Sequence, residues 1–545
     1  MNKVLPLVSL FIISIISIFY WTFKPKNELY DAKWNAPDTT LAITINGEIS
    51  TTFPTTNAYE ASVECTNGTG KVEWNGTKWI LTTSEITKGS TKCNAKFNKL
   101  TFAGTILANN EVKTPLTTPG AEVSAYTLDD VTTTSTYSVS STDQSYYVTY
   151  GTGWKANGTK FNLTGTAVTS DTYANSYSSL VGKYLPDSFL YRAGSSTVGT
   201  MVTTTNLSSV YYVVSATSSS FVYKQITSNK NTTEALLAST DDDYGTTYYF
   251  RGAVKNNYVQ FANKCWRIVR ITGDGSVKLV LHNDNISSSS NPCSSANNST
   301  TAAFARYSGT RYRSAFNSSD NDNAYIGLMY GTTGASDYAS THANTNKSTI
   351  LTNLETWYKN NLELYEDKLA DTIWCNDKST FTTFTSGSTY GTGLGYGTNQ
   401  TGYGAYNRIY GGDAASYASP SLICPNDNNG GKLSKFTVSD TTKGNGNLTY
   451  KIGLLTADEI AFSGSIAYNY NRSTYLQENA TDAYWWSLSP YFFDGSFAYV
   501  WGVYSGRLNR SNVRSRNGLR PVISLISSTN VTGDGTSENP YVVEK

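Results

Sequence analysis

Histidine is almost missing from this chain: 2 occur among 545 residues. A multi-histidine metal centre or a Ser-His-Asp triad therefore has little to draw on, and His282 and His342 read as two surface side chains. Charge is scarce as well. Asp, Glu, Lys and Arg make up 15% of the chain, against roughly a quarter in ordinary domains. The 42 Lys+Arg and 41 Asp+Glu leave a net charge of +1, so no basic field exists to neutralise phosphates, and a nucleic-acid partner is excluded on that ground. The 6 cysteines form no Cys-x-x-Cys pair, which disfavours zinc and redox chemistry. Neither a metal nor a cofactor is expected.

What is present is Tyr 41, Trp 11 and Gly 43 in a background of Ser, Thr and Asn. Disordered chains are charged and poor in aromatics, whereas Thr, Tyr and Val suit strands and Asn, Gly and Ser suit turns. The composition is that of extracellular, mainly β structure. At about 150 residues per domain the length allows roughly three folding units.

The one long apolar run, Val4 to Phe23, follows Lys3 and precedes Lys24 and Lys26. About twenty apolar residues span a bilayer core, and no small-x-small cleavage site follows. The run reads as an uncleaved signal anchor and transmembrane helix within 1–30, with Tyr20 and Trp21 at the interface; a cleaved signal peptide, hence a secreted protein, is the alternative. Either places the bulk outside the cytosol, where an even number of dispersed cysteines reads as disulfides. Six cysteines allow fifteen pairings. Nearest-neighbour pairing is expected: Cys65 with Cys93, Cys265 with Cys293, and Cys375 with Cys424.

Along the chain, Leu41, Ile43 and Ile45 alternate up to an Asn46-Gly47 turn. Strand-like runs follow at 61–65, 78–83 and 92–102, which predicts a small immunoglobulin-like β-sandwich over 38–105. The proximity of Cys65 and Cys93 in sequence departs from the usual inter-sheet bridge of that fold. Residues 106–238 form a second β-rich domain, with strand-like runs at 144–150, 160–163 and 210–216. A third unit, 239–545, opens with strands at 248–252, 258–261, 265–272 and 276–282, the last two joined by Gly273-Asp274-Gly275. Ser348 or Thr349 caps a helix with Ile350, Leu351, Leu354, Trp357 and Tyr358 at helical spacing. Thr456-Ala457-Asp458-Glu459 is a capping box with Gly464 as the stop. Between Cys375 and Cys424 lies a Gly/Tyr/Thr/Ser-rich excursion longer than ordinary loops. The clusters Asp241-Asp242-Asp243 and Asp320-Asn321-Asp322 do not continue into a calcium-loop pattern and read as turn residues.

The closing stretch carries the candidate site. Tyr484-Trp485-Trp486-Ser487-Leu488-Ser489-Pro490 and Gly518-Leu519-Arg520-Pro521-Val522-Ile523-Ser524-Leu525 bracket a segment rich in Tyr, Phe, Asp, Ser, Gly, Asn and Arg, the composition of an antibody paratope. Trp485, Trp486 and Arg520 read as structural. The candidate ligand-binding residues are Tyr491, Phe493, Asp494, Tyr499, Trp501, Tyr504, Arg507, Arg510, Asn512, Arg514 and Arg516.

With Phe261–Arg270 (FANKCWRIVR) upstream and Asn539-Pro540-Tyr541-Val542 near the end, these blocks resemble a family of bacterial surface proteins. Its last part is similar to C-type-lectin-like domains, including the variable proteins diversified by retroelements. The resemblance covers roughly the C-terminal half and implies an α+β lectin-like module engaged in recognition, with an extracellular protein or glycan as ligand. The Glu-Pro-Asn calcium motif of sugar-binding lectins is missing, as are the paired cysteines of formylglycine-generating enzymes. A membrane-anchored adhesion protein, not an enzyme, is therefore expected. The alternatives are a structural subunit of a surface or pilus-like assembly and a cell-surface polysaccharide hydrolase, whose carboxylate pair would leave no spacing to read.

Overall fold

The computed structural model describes residues 39–84, 91–115 and 118–120, short segments between 135 and 227, and 235–544 except 414–416, 428 and 471–473. The expected membrane segment lies outside the described residues. Among those described, no helix is long and apolar enough to cross a membrane. The chain is mainly β, in several sheets.

It divides into two compact units: one runs to Glu111 and takes in Ser527–Asp534 and the residues from Val542 on, and the other comprises Val112–Ile526 and Gly535–Tyr541. The expected boundary after residue 105 thus falls inside a helix, and part of the C-terminal tail partitions with the first unit.

In the first unit, β1 (Thr39–Ile45) turns into β2 (Glu48–Ser50) through Asn46 and Gly47. Both have positive φ, 51° and 85°, the conformation that Asn-Gly hairpins supply cheaply. β3 (Tyr59–Cys65), β4 (Thr69–Trp74), β5 (Trp79–Ser84) and β6 (Thr91–Lys99) follow. The main sheet has the order β2-β1-β6-β3, with β1 and β6 parallel, while β4 and β5 pair separately. Trp79 of β5 lies edge-on to Phe97 of β6 at 5.1 Å, so the two layers meet through a core of Ile43, Trp79, Ala95 and Phe97. The Cys65–Cys93 bridge joins positions directly opposite one another in the β3–β6 pair, within one sheet. The strand expected to reach residue 102 stops at Lys99, because Thr101 caps a helix, α1 (Phe102–Asn109), by accepting from Gly104 N. Its buried Phe102, Thr105 and Ile106 fall on one face and were the signal for it.

Between 135 and 227 the described segments are strands, among them Tyr147–Thr149, Thr159–Asn162 and Ser209–Ala216 at the expected runs, the last within a four-stranded sheet.

From Ala235 the elements are β7 (Ala235–Asp242), β8 (Gly245–Gly252), β9 (Tyr258–Phe261), β10 (Lys264–Ile271), β11 (Val277–Asn283), α2 (Thr349–Asn361), β12 (Thr401–Tyr403), α3 (Gly404–Tyr410), α4 (Ala457–Phe462), β13 (Trp485–Phe493), β14 (Ala498–Tyr504), β15 (Arg507–Asn512) and β16 (Val522–Leu525). One sheet runs β7-β8-β10-β11-β16, with β9 on the same edge of β10 as β8. The other places β13 beside β14 and β14 beside β15, with β12 and Gly518 on the far side of β13. The second bracketing block of the sequence, 518–525, connects the two sheets: Gly518 pairs with Trp485, and β16 pairs with β11. Gly518 packs against the Phe304 ring, which a Cβ would approach to 2.5 Å. Between them Arg520 is buried, donating to Leu281 O (2.9 Å) and Leu476 O (2.6 Å), the structural role expected of it.

Both helix expectations hold in detail. Ser348 caps α2, which buries Ile350, Leu351, Leu354, Trp357 and Tyr358, and Thr456 with Glu459 forms the capping box of α4. All three disulfides have the expected partners.

The histidines depart from expectation: both are fully buried. His282 is at the end of β11, where Asn479 meets its Nε2 at 3.1 Å. His342 Nε2 lies 2.8 Å from Gly395 O. Burial, reinforced by Arg267 and Arg520, holds His282 well below the ordinary imidazole value. It is therefore neutral, and its 3.8 Å approach to Glu478 is not an ion pair.

Candidate functional site

The bracketed segment folds as a β-meander, and burial divides its residues sharply. Every residue of β13 is buried. Tyr491 (1% exposed), Phe493 and Trp501 (both 0%) are core residues, which corrects their expected role as ligand contacts: no partner can reach them from outside. Asp494 is also reassigned. Its carboxylate accepts from Ser496 N (2.9 Å) and Phe497 N (2.7 Å) and so builds the turn between β13 and β14.

The remaining residues split between two faces. Side chains directly opposite in an antiparallel pair share a face. Tyr499 pairs with Asn512 and Trp501 with Arg510 on one side, whereas Tyr504 and Arg507, an odd number of residues along each strand, pair on the other. There Tyr504 stacks on Tyr484 and the Arg507 guanidinium lies 4.6 Å from the Tyr470 ring. On the first face the Arg510 guanidinium sits 5.3 Å from the rings of both Phe492 and Tyr499, and Asn512 donates to the Asp320 carboxylate at 2.8 Å. Arg510, Arg514 and Arg516 are exposed, and so is Phe497, at 47%.

Sequence reasoning missed what lies beneath. The excursion between Cys375 and Cys424 is folded, and it delivers Phe381, Phe384, Tyr390 and the α3 residues Tyr406 and Tyr410 to one aromatic cluster. Tyr406 stacks on Tyr491 with ring centroids 4.0 Å apart, and the Tyr468 and Tyr491 hydroxyls are hydrogen-bonded. Burial pushes the Tyr468 phenol up to about 12, so these phenols stay protonated as neutral donors. The only sequence signal was the density of tyrosine in the excursion, which carries no information about which strand it covers.

A second cluster is ionic. Arg270 of β10 pairs with Asp242 and with Glu459 (3.0 Å), and Lys278 of β11 reaches the same Glu459 oxygen at 2.6 Å. Arg408 of α3 grips Asp458 through two nitrogens, at 2.9 and 3.0 Å, and Asp377 at 2.7 Å. Burial works to raise the Glu459 carboxyl, but Lys278 and Arg270 together outweigh it and hold it at about 2. The cavity in this cluster, walled by Cys375–Cys424, has a volume of about 20 Å³, room for a single water. A larger concavity of about 210 Å³ is lined by Gly431, Lys432, Lys435 and Lys443. Lys435 is paired there with Asp243 at 2.9 Å, and Lys443 lies over Tyr244 at 4.2 Å.

The two aspartate clusters serve structure, both within their own turns and by tying distant segments together. Asp242 accepts from Tyr244 N, Asp243 from Cys424 N, and Asp322 from Ala324 N and Gly334 N. Among the described residues no group of three His, Cys, Asp or Glu side chains is arranged to hold a metal ion. The three disulfides are compatible with an extracellular or secreted protein. Compared with known proteins, the chain matches no protein-family model, no curated protein and no solved structure.

Proposed function

We propose that this chain is an extracellular recognition protein, held at a cell surface through residues 4–23, that binds a protein or glycan ligand with the face carrying Phe497, Tyr499, Arg510, Arg514 and Arg516. In this reading the units before residue 239 are β-sandwich spacers and the C-terminal module is lectin-like. The observation that supports it is an exposed guanidinium set against a rigid aromatic base: Arg510 of β15 lies beside half-buried Tyr499 of β14 and buried Phe492, the latter on β13, which is buried along its whole length. Aromatic and arginine side chains with little freedom left to lose are the groups that dominate binding energy. Hydrolysis is the weaker reading, because the densest carboxylate cluster surrounds a space for one water, too small for a sugar.

The test uses the full chain displayed on cells, probed against glycan arrays and against cell-surface extracts. Tyr499→Ser combined with Arg510→Ser should abolish binding with the melting temperature unchanged. Undiminished binding by that variant refutes the site. If the segment is diversified in a population, substitutions should gather at 496, 497, 499, 510, 514 and 516 and spare 491, 493 and 501.

A further inference from the structure

Three lysines of the C-terminal unit are deeply buried, and one differs from the others. Lys264 is paired with Asp284 at 2.7 Å and Lys278 with Glu459 at 2.6 Å, as buried charges require. Lys378, 0% exposed, makes no ion pair among the described residues. Its Nζ donates to Met329 O at 2.9 Å and to the side-chain Oδ1 of Asn344 at 2.5 Å, and it faces the Phe436 ring at 5.2 Å. Its Cε packs where Gly327 leaves space, since a Cβ there would lie 3.2 Å away.

Such an amine is a nucleophile when it is neutral. Burial pulls Lys378 down to about 7, against the opposing influence of the Asp427 carboxylate, so a large share is unprotonated near neutrality. The other titratable neighbour, His342, is buried and held neutral by its burial and by Lys378. Asn344, 4% exposed, is oriented by donation from Nδ2 to Leu433 O at 3.2 Å. Asp427 braces that same segment by accepting from Asn429 N, Gly431 N and Leu433 N. With Nζ at 2.5 Å from Oδ1 and a C=O bond of about 1.23 Å, Nζ lies no farther than about 3.7 Å from Cγ, close to the separation of a near-attack pair.

We propose that Lys378 and Asn344 are joined by an isopeptide bond formed within the folded chain. The Nζ lone pair attacks Cγ, the new Cγ–Nζ bond forms, a proton passes from Nζ to Nδ2, and the Cγ–Nδ2 bond breaks to release ammonia. No oxidant, reductant or co-reactant enters. The product ties the segment after the one-turn helix Tyr338–Thr341 to the base of the 375–424 excursion. Three residues from Cys375, it adds a strap that thiols cannot reduce.

Mass spectrometry of the full chain tests this directly. After allowance for three disulfides, the protein should be lighter than its sequence by one ammonia, and a proteolytic map should contain a branched peptide linking Asn344 to Lys378. Lys378→Met should restore the full mass. A wild-type chain at its sequence mass overturns the proposal, and so does an ammonia deficit that maps elsewhere or persists in Lys378→Met. If that variant does not fold, the wild-type peptide map still decides.

Discussion

Cys65–Cys93 and Cys265–Cys293 each span 28 residues, so the loop-closure contribution of the two bridges is the same, about 3.5 kcal/mol in the chain-entropy model. Their surroundings are not. In the N-terminal unit Cys65 lies on β3, whose side chains are alternately half-buried and exposed, as in a sheet with one wet face. In the C-terminal unit Cys265 and Cys293 are both completely buried against Tyr258, and all eight residues of β10 are buried. A strand covered on both faces must bury whatever its sequence carries, and β10 carries Lys264, Arg267 and Arg270. The first unit is held by apolar packing and a staple; the second also depends on satisfying every charge it encloses.

The largest effect should come from breaking that second condition. Glu459→Ala removes the carboxylate shared by Arg270 and Lys278 and the reciprocal bond of the α4 capping box, which accepts from Thr456 N at 3.0 Å. It should cost about 3–5 kcal/mol, because buried Lys278 loses its only ion-pair partner among the described residues and Arg270 is left with Asp242 alone, and it should appear as a lowered denaturation midpoint of the C-terminal unit. If the loss is below about 1 kcal/mol, the usual worth of an exposed pair, the network is not what holds this unit.

Next come the matched bridges. Cys265→Ala with Cys293→Ala should destabilise by more than Cys65→Ala with Cys93→Ala, since the loop term is common and the former pair empties two fully buried sites whereas in the latter only Cys93 is buried, at roughly 24 cal/mol per Å³ of unfilled space. Chemical denaturation of both double variants compares them, and equal losses would show that core packing around Cys293 relaxes freely.

Acidity should separate the units further. Both histidines lie in the C-terminal unit, buried and held well below their ordinary value. Above pH ~6.5 they are neutral in the folded and unfolded chain alike; below it the unfolded chain takes up protons that the folded chain refuses. Stability should therefore fall with pH at a slope approaching ~1.4 kcal/mol per unit for each imidazole. Glu459, at about 2 against an ordinary 4.5, adds a second loss as pH falls from 4.5 towards 2. Urea midpoints at pH 7.5 and 5.5 should shift for the C-terminal transition, while the N-terminal unit, which has no histidine among its described residues, should not respond. The smallest effect belongs to Tyr499→Ser and Arg510→Ser, expected within ~0.5 kcal/mol of wild type, as befits an edge that serves a ligand rather than the fold.

How much of this was legible follows from range. Asn46-Gly47, the Ser348 cap, the Thr456–Glu459 box and the apolar stripe of α2 are decided over a few residues, so the residues themselves announce them. The helix at Phe102 was equally local, but it was hidden behind a strand-like run that ended sooner than its apolar pattern suggested. The candidate site was legible as a place and misread in its members. Composition marks 491–516 as rich in Tyr, Phe and Arg, yet only the α3 tyrosines packed on Tyr491, and the turn bonds made by Asp494, decide which of these can touch a ligand.

Composition and local pattern alone determined the β character, the scarcity of histidine chemistry, and the turns and caps, since each rests on short separations or on counts. The tertiary structure alone decided that His282 and His342 are buried and neutral, that Glu459 serves two cations and a helix end at once, and that Lys378 faces Asn344. These are contacts between segments 30 to 200 residues apart, whose energies depend on the water excluded around them, and no local pattern encodes that exclusion.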